Sequence, residues 1–292
     1  MGEQRFVELG DERVLAFEEY GDEQGGPVLF CHGWPSSRSM AQITHEPARD
    51  LGIRIISADR PGIRASTFQP NRKLLDWPDI VQRLMNELGI GEFRILAVSG
   101  GAPYAYATAR TMPERVRAMA IVSGAISISD LADHKGLLPL YRWMLALYRT
   151  HPQLLRRFFY LARHVLSVRP PPRLRPLVLK LLMLQPCDAE SLRDSTAFEA
   201  IFESQRCAWR GGAEGIVADA HIYAEPWGFA LEEVAVPVRL WHGNQDRAFS
   251  VQLAKQMAAR LPNCHARFID GAGHYSLPIR HTREILEDLI SI

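Results

Sequence analysis

Ile95-Leu96-Ala97-Val98-Ser99-Gly100-Gly101-Ala102-Pro103-Tyr104 is an apolar run that breaks at a serine and passes into the alanine-rich stretch Tyr104-Ala105-Tyr106-Ala107-Thr108-Ala109. The apolar run suits a strand buried on both faces. The stretch after the serine suits a helix. Small residues stand two positions before the serine (Ala97) and two after it (Gly101). That pattern reads as a strained strand-to-helix turn that lifts a nucleophilic hydroxyl out of a sheet. Larger side chains at the flanking positions would collide with neighbouring backbone. The competing reading is a serine that simply caps the helix after it.

A nucleophilic serine needs a general base, and the base needs an orienting acid. Two downstream runs can supply them. Val238-Arg239-Leu240-Trp241-His242-Gly243-Asn244-Gln245-Asp246 is a short strand, a glycine turn and a carboxylate. Ala266-Arg267-Phe268-Ile269-Asp270-Gly271-Ala272-Gly273-His274 is a strand, a glycine-rich turn and a histidine. Asp246 is preferred as the acid because it follows its strand through a short turn. Asp270, nearer His274 in sequence, is the alternative, and its other reading is a turn-shaping residue. Ser99, Asp246 and His274 thus fall at strand ends in the order serine, acid, histidine.

In these three segments and their order the chain resembles the α/β-hydrolase superfamily over nearly all its length. Val28-Leu29-Phe30-Cys31-His32-Gly33-Trp34-Pro35 extends the likeness, because in that family the residue after a His-Gly pair donates a backbone N–H to an oxyanion. Carried over, the donors are the amides of Trp34 and Gly100. The His32 side chain is read as a structural group bonded to nearby backbone. Asp59-Arg60-Pro61-Gly62 resembles a family turn and is read as a support element. It departs from the usual continuation, since Ile63-Arg64-Ala65-Ser66 keeps only the serine. The resemblance implies a serine hydrolase acting on a small, mostly apolar ester, thioester or lactone. A hydroxynitrile lyase, a cofactor-free haloperoxidase or a carbon–carbon bond hydrolase could use the same three residues. A non-catalytic ligand receptor on this fold is the alternative from another class. Epoxide hydrolases and haloalkane dehalogenases place aspartate at the turn, so Ser99 excludes their mechanism. Proline iminopeptidases carry tryptophan after the serine, where this chain has Gly100.

The remaining pattern predicts the architecture. Phe6–Leu9 and Val14–Phe17 flank Gly10-Asp11 as an opening antiparallel hairpin. Strands are expected at 28–31, 53–56, 94–98, 119–122, 238–242 and 266–269. A helix from Asp76 puts Ile80, Val81, Leu84, Met85 and Leu88 on one face and stops at Gly89, and a last helix covers Arg283–Ile290. Strand–helix alternation with apolar strands predicts an α/β, doubly wound, mostly parallel sheet covered on both faces. Residues 127–230 break the rhythm and read as helices interrupted by prolines. The expected organisation is a core of residues 1–126 and 231–292 with an inserted helical cap over 127–230. The cap aromatics Trp143, Tyr148, Phe158, Phe159, Tyr160, Trp209, Tyr223 and Trp227 are candidates to face an apolar substrate, and the competing reading for most of them is the cap's own packing. Trp143 and Phe159 are the expected determinants of acyl preference.

Composition narrows the function classes. The chain has 292 residues, 47% of them hydrophobic, enough for a sizeable core. A net charge of +1 gives no global attraction to nucleic acid. Residues 135–180 nevertheless hold ten Lys or Arg and no Asp or Glu. The default reading is a solvated basic helix face; an acidic substrate or a membrane surface is the other. No apolar run is long enough to span a membrane. No signal-peptide core is present, and Phe6 stands where myristoylation needs Ser or Thr. Cys31, Cys187, Cys207 and Cys264 are widely spaced, which predicts reduced thiols in a cytoplasmic setting. No zinc motif, P-loop or complete dinucleotide fingerprint is present, so neither cofactor nor metal is expected. The expected partner is a small-molecule substrate, and no feature sets an oligomeric state.

Overall fold

The computed structural model describes residues 4–131, 133–181 and 184–292. Its strands are β1 (Arg5–Gly10), β2 (Arg13–Gly21), β3 (Gly26–Cys31), β4 (Ile53–Ala58), β5 (Phe93–Val98), β6 (Val116–Val122), β7 (Val238–Gly243) and β8 (Cys264–Ile269). They form one eight-stranded sheet in the order β1-β2-β4-β3-β5-β6-β7-β8. The expected hairpin is β1 paired antiparallel with β2, and β2 runs antiparallel to β4. From β4 to β8 every neighbouring pair is parallel.

Successive side chains on a strand point to opposite faces, so each parallel strand feeds two cores. On β5, Ile95 and Ala97 join the layer containing α2 (Trp77–Glu87), α3 (Ala102–Thr111) and α10 (Val251–Arg260). Leu96 and Val98 face the other layer, with α1 (His45–Asp50), α11 (Ser276–Arg280) and α12 (Thr282–Ile290). The face expected for α2 is the one buried: Ile80, Val81, Leu84 and Met85 are inside, and Leu88 packs half-buried against them. The sheet is therefore doubly wound, and both faces of its apolar strands are covered.

Between β6 and β7 the alternation stops. The chain instead forms α4 (Pro139–Thr150), α5 (Pro152–Leu166), α6 (Arg175–Leu181), α7 (Pro186–Ser191), α8 (Ser195–Arg210) and α9 (Glu214–Ala224). Prolines open α4, α5 and α7, positions where a missing N–H removes no helical bond. These helices bury a cluster of their own, Leu155, Phe159, Ala208, Trp209, Ala213 and Ile216, closed by Ile63 from the loop after β4. A single antiparallel bridge joins Leu137 to Phe249, beyond β7. The four cysteines are unpaired. Among the described residues no helix is long and apolar enough to cross a membrane.

Candidate active site

Because β5, β7 and β8 are parallel, their carboxyl ends open on one edge of the sheet. Open α/β sheets place ligands at that edge. Ser99 follows β5 and takes a left-handed backbone, φ +52°, which is costly for a residue with a side chain. A Cβ at Gly101 would stand 2.0 Å from the Cys31 carbonyl oxygen, so only glycine fits there. A Cβ at Gly100 would stand 2.7 Å from the Trp34 Cβ and 3.0 Å from the Trp34 nitrogen. The loop after β3 thus packs directly on the serine turn.

The three sequence-selected side chains meet. His274 Nε2 is 3.0 Å from Ser99 Oγ, and His274 Nδ1 is 2.8 Å from Asp246 Oδ2. The other Asp246 oxygen accepts the N–H groups of Ala248 and Phe249 at 2.7 and 3.1 Å. Asp270 does not reach the histidine; its carboxylate accepts from Asn244 Nδ2 at 2.6 Å, on the surface. Burial alone would favour a neutral His274. The Asp246 charge, its hydrogen bond and the Asp188 charge outweigh burial and raise the imidazole pKa above its ordinary value. Burial alone would likewise push the Asp246 carboxyl up. The His274 charge and bond, with His242 and the Phe249 N–H, hold it below the usual carboxylate value.

The loop bearing Trp34 is clamped from beneath. Arg60 Nη1 donates to the His32 carbonyl at 2.7 Å and Nη2 to the Gly33 carbonyl at 2.9 Å. Its Nε donates to Asp219 Oδ2, 2.9 Å away on α9. Asp219 also pairs with Arg72 and accepts from Tyr104 Oη at 2.7 Å. Burial would raise its pKa, but the two guanidiniums pull it down to about 2. Arg60 therefore gives the Asp59–Gly62 turn a concrete support role. Ser66 closes the same loop, accepting from Ala16 N at 3.0 Å and donating to the Asp59 carbonyl at 2.8 Å. The His32 ring lies buried with Nδ1 3.0 Å from the Gly33 carbonyl, consistent with its structural reading; burial and Arg60 hold its pKa well below the usual value.

Sequence reasoning missed Asp188 and Asp219 and the supporting bonds of Tyr223 and the Trp34 ring. Asp188, on α7, is buried and receives the backbone N–H groups of His274, Tyr275 and Ser276 at 3.2, 3.0 and 2.7 Å. It also accepts from Ser276 Oγ at 2.9 Å. Tyr223, on α9, donates to the Gly100 carbonyl at 2.8 Å, and Trp34 Nε1 donates to the Ile216 carbonyl at 3.0 Å. Nothing local marks Asp188 or Asp219 as special; each looks like one acid on a helix until its partners, about a hundred residues away, are known.

Two clefts meet at Ser99. One encloses about 620 Å³, part of it open to solvent, and is lined by Ser99, Gly100 and apolar or aromatic side chains, including Leu145, Leu155 and Phe249. Among the described residues, none that lines it is charged. The other, about 420 Å³, adds His274, Ser36, Ser204 and Gln205. Of the aromatics expected to face substrate, Tyr148, Phe159 and Tyr223 line the larger cleft, and Phe158, Tyr160, Trp209 and Trp227 do not. Trp143 does not: it is exposed on the outside of α4, its ring edge-on to Phe158 at 5.4 Å, because the inward positions of that helix are taken by Tyr141, Met144 and Leu145.

Comparison with known proteins agrees with this architecture. A family described as alpha/beta hydrolase fold matches residues 26–279. The chain is 25% identical over 119 residues to the proline iminopeptidase of Neisseria gonorrhoeae, covering 40% of this chain and 38% of that protein. It is 30% identical over 114 residues to the Xanthomonas citri proline iminopeptidase, covering 37% and 35%. Among solved structures, an esterase from Thermogutta terrifontis superposes with a TM-score of 0.67 at 20% identity, covering 99% of this chain and 97% of that one. A bromoperoxidase from Bacillus anthracis reaches 0.74 at 16% identity, covering 99% and 100%. At such identities the structural likenesses speak for the fold alone.

Proposed function

The chain belongs to the alpha/beta hydrolase fold family, and from that premise we propose that it is a serine hydrolase cleaving small, mostly apolar carboxylic esters, thioesters or lactones through an acyl-enzyme on Ser99. The observation that carries this reading is the hydrogen-bonded relay Asp246–His274–Ser99 at the mouth of an uncharged cleft. Ser99 Oγ attacks the carbonyl carbon, and His274 Nε2 takes the hydroxyl proton. Asp246 holds Nδ1–H, which sets the tautomer and stabilises the imidazolium. The amides of Trp34 and Gly100 receive the oxyanion; one such donor is worth roughly 3–4 kcal/mol in the transition state. The tetrahedral adduct collapses, His274 returns the proton to the leaving group, and the acyl group stays on Ser99. Water, deprotonated by His274, then releases the acid.

The two clefts support a placement of the substrate's ends. His274 must reach the leaving group, and it borders only the smaller cleft, beside Ser36, Ser204 and Gln205. The leaving group is assigned there and the acyl chain to the larger apolar cleft. Cleaving an N-terminal residue would require a group to hold the substrate ammonium, and among the described residues no carboxylate lines the larger cleft. That favours an acyl substrate over the activity carried by the iminopeptidase relatives' names.

A fluorophosphonate probe and a series of p-nitrophenyl esters test the reading. Wild-type protein is expected to be labelled covalently. Ser99→Ala should lose labelling and at least roughly 10³-fold in kcat while keeping its fold. Undiminished ester hydrolysis by folded Ser99→Ala protein would overturn the mechanism.

A further inference from the structure

The roof of the larger cleft is apolar on its outer side as well. On α5, Leu155 and Phe159 point inward and line the cleft. On a flank of the same helix, roughly 100° round from that inward face, Leu154, Phe158, Leu161 and Val165 recur at the spacing of a helical stripe and are exposed, Leu161 and Val165 to 71% and 74%. Trp143 and Leu140 of α4 are exposed beside them, with Trp143 in ring contact with Phe158. Val168, Leu174 and Leu177 continue the exposed apolar series toward α6. A folded chain seldom leaves this many large apolar side chains of neighbouring helices to water unless something covers them.

The charge around the stripe says what covers it. A protein of net charge +1 carries ten Lys or Arg and no acid in residues 135–180, so the rest of the chain is net negative. Arg169 and Arg175 are taken up by Glu199 on α8. Arg142, Arg149, Arg157 and Arg173 are exposed, and no acid pairs with them among the described residues; Arg156 instead lies over the Tyr160 ring at 5.5 Å. Long basic side chains beside Trp, Phe and Leu suit a helix lying flat in a lipid interface, aliphatic stems in the boundary and guanidiniums among the headgroups. A second copy of this chain would meet the face with the same positive charge.

We propose that the outer face of α4 and α5 docks the protein on an anionic lipid surface. The docking is reversible and peripheral. Apolar side chains give it depth, and unpaired arginines make it selective for negative headgroups. A basic residue held at such a surface contributes about a fivefold factor in partitioning. The acyl cleft lies under the same two helices, so docking turns its roof toward the bilayer.

Vesicle flotation tests this, using phosphatidylcholine alone and phosphatidylcholine with an equal amount of phosphatidylglycerol. The protein should float with the mixed vesicles and at least about tenfold less with phosphatidylcholine alone, and added salt should release it. Leu161→Glu/Val165→Glu should lose at least about tenfold of the binding. Arg157→Glu/Arg173→Glu should lose a comparable factor. Both variants change exposed side chains outside the cleft, so hydrolysis of a small soluble ester should stay at the parent rate and certify the fold. Equal flotation with both vesicles, no flotation, or unchanged binding by either variant would overturn the proposal. So would a dimer in light scattering that the Leu161→Glu/Val165→Glu change dissociates while vesicles bind nothing.

Discussion

Ser99 pays for its left-handed backbone with local strain, and the neighbours that enforce it are identifiable: Gly101 against the Cys31 carbonyl, and Tyr223 on the Gly100 carbonyl. Two carboxylates could have served His274 on sequence grounds, and only Asp246 is within bonding distance of it. Asp246→Asn should therefore mis-set the histidine tautomer and cost roughly 10³–10⁴-fold in kcat. Asp270→Asn, which changes only a surface bond to Asn244, should cost less than about threefold. Steady-state kinetics on the two folded variants checks this, and the reverse ranking would sink the assignment. On the proposed mechanism, the raised pKa of His274 should set the pH profile. Only the neutral ring can take the serine proton, so activity is lost as pH falls through that raised value. A profile of kcat/KM against pH should show one acid limb with its midpoint above ~6.5, the ordinary histidine value. A midpoint well below that value would contradict neutral His274 as the base.

At the scale of elements, the inserted helices hold the site as well as cover it. Asp188 on α7 gathers three consecutive N–H groups of the turn between β8 and α11, and that turn carries His274. A carboxylate accepts from all sides, whereas an amide presents donors to two of them. Asp188→Asn should lower stability by about 1.5–3 kcal/mol, read as a shifted denaturant midpoint. It should also move the acid limb of kcat/KM to lower pH, because the Asp188 charge helps raise the His274 pKa. A merely structural role would lower stability and leave the limb where it was. The Arg60–Asp219 pair works in parallel on the other side, tying α9 to the carbonyls of His32 and Gly33.

For the whole molecule, the helical insertion divides into an inner surface that shapes the cleft and an outer surface that meets the surroundings. Phe159 stands on the inner one, so Phe159→Ala should open the larger cleft and shift kcat/KM toward longer acyl chains by about tenfold. Labelling by a small fluorophosphonate should persist in that variant, since Ser99, Asp246 and His274 stand on the sheet. Trp143→Ala should leave the ranking of acyl chains at parent values, because Trp143 is outside the cleft. A p-nitrophenyl ester series from short to long chains separates the two; a Trp143 effect on that ranking equal to that of Phe159 would refute this division.

Much of this protein was legible in its sequence because the signals are local. A strand buried on both faces must be apolar, a left-handed turn against a neighbouring carbonyl must have glycine beside it, and a helix face repeats every three or four residues. Those rules marked the parallel strands, the α2 face, the Ser99 turn and the strand ends bearing Asp246 and His274. Tertiary structure decided what depends on distant partners. It brought Asp246, the carboxylate already preferred, to His274 and left Asp270 bonded to Asn244 on the surface. It brought Asp188 to the His274 turn across 86 residues and Asp219 to Arg60 across 159. It also decided which aromatics of α4 and α5 face the cleft and which face out. A side chain's composition and spacing say that it can be buried or charged; only the packing of the rest of the chain supplies the neighbour that makes it a support, a lining or a surface.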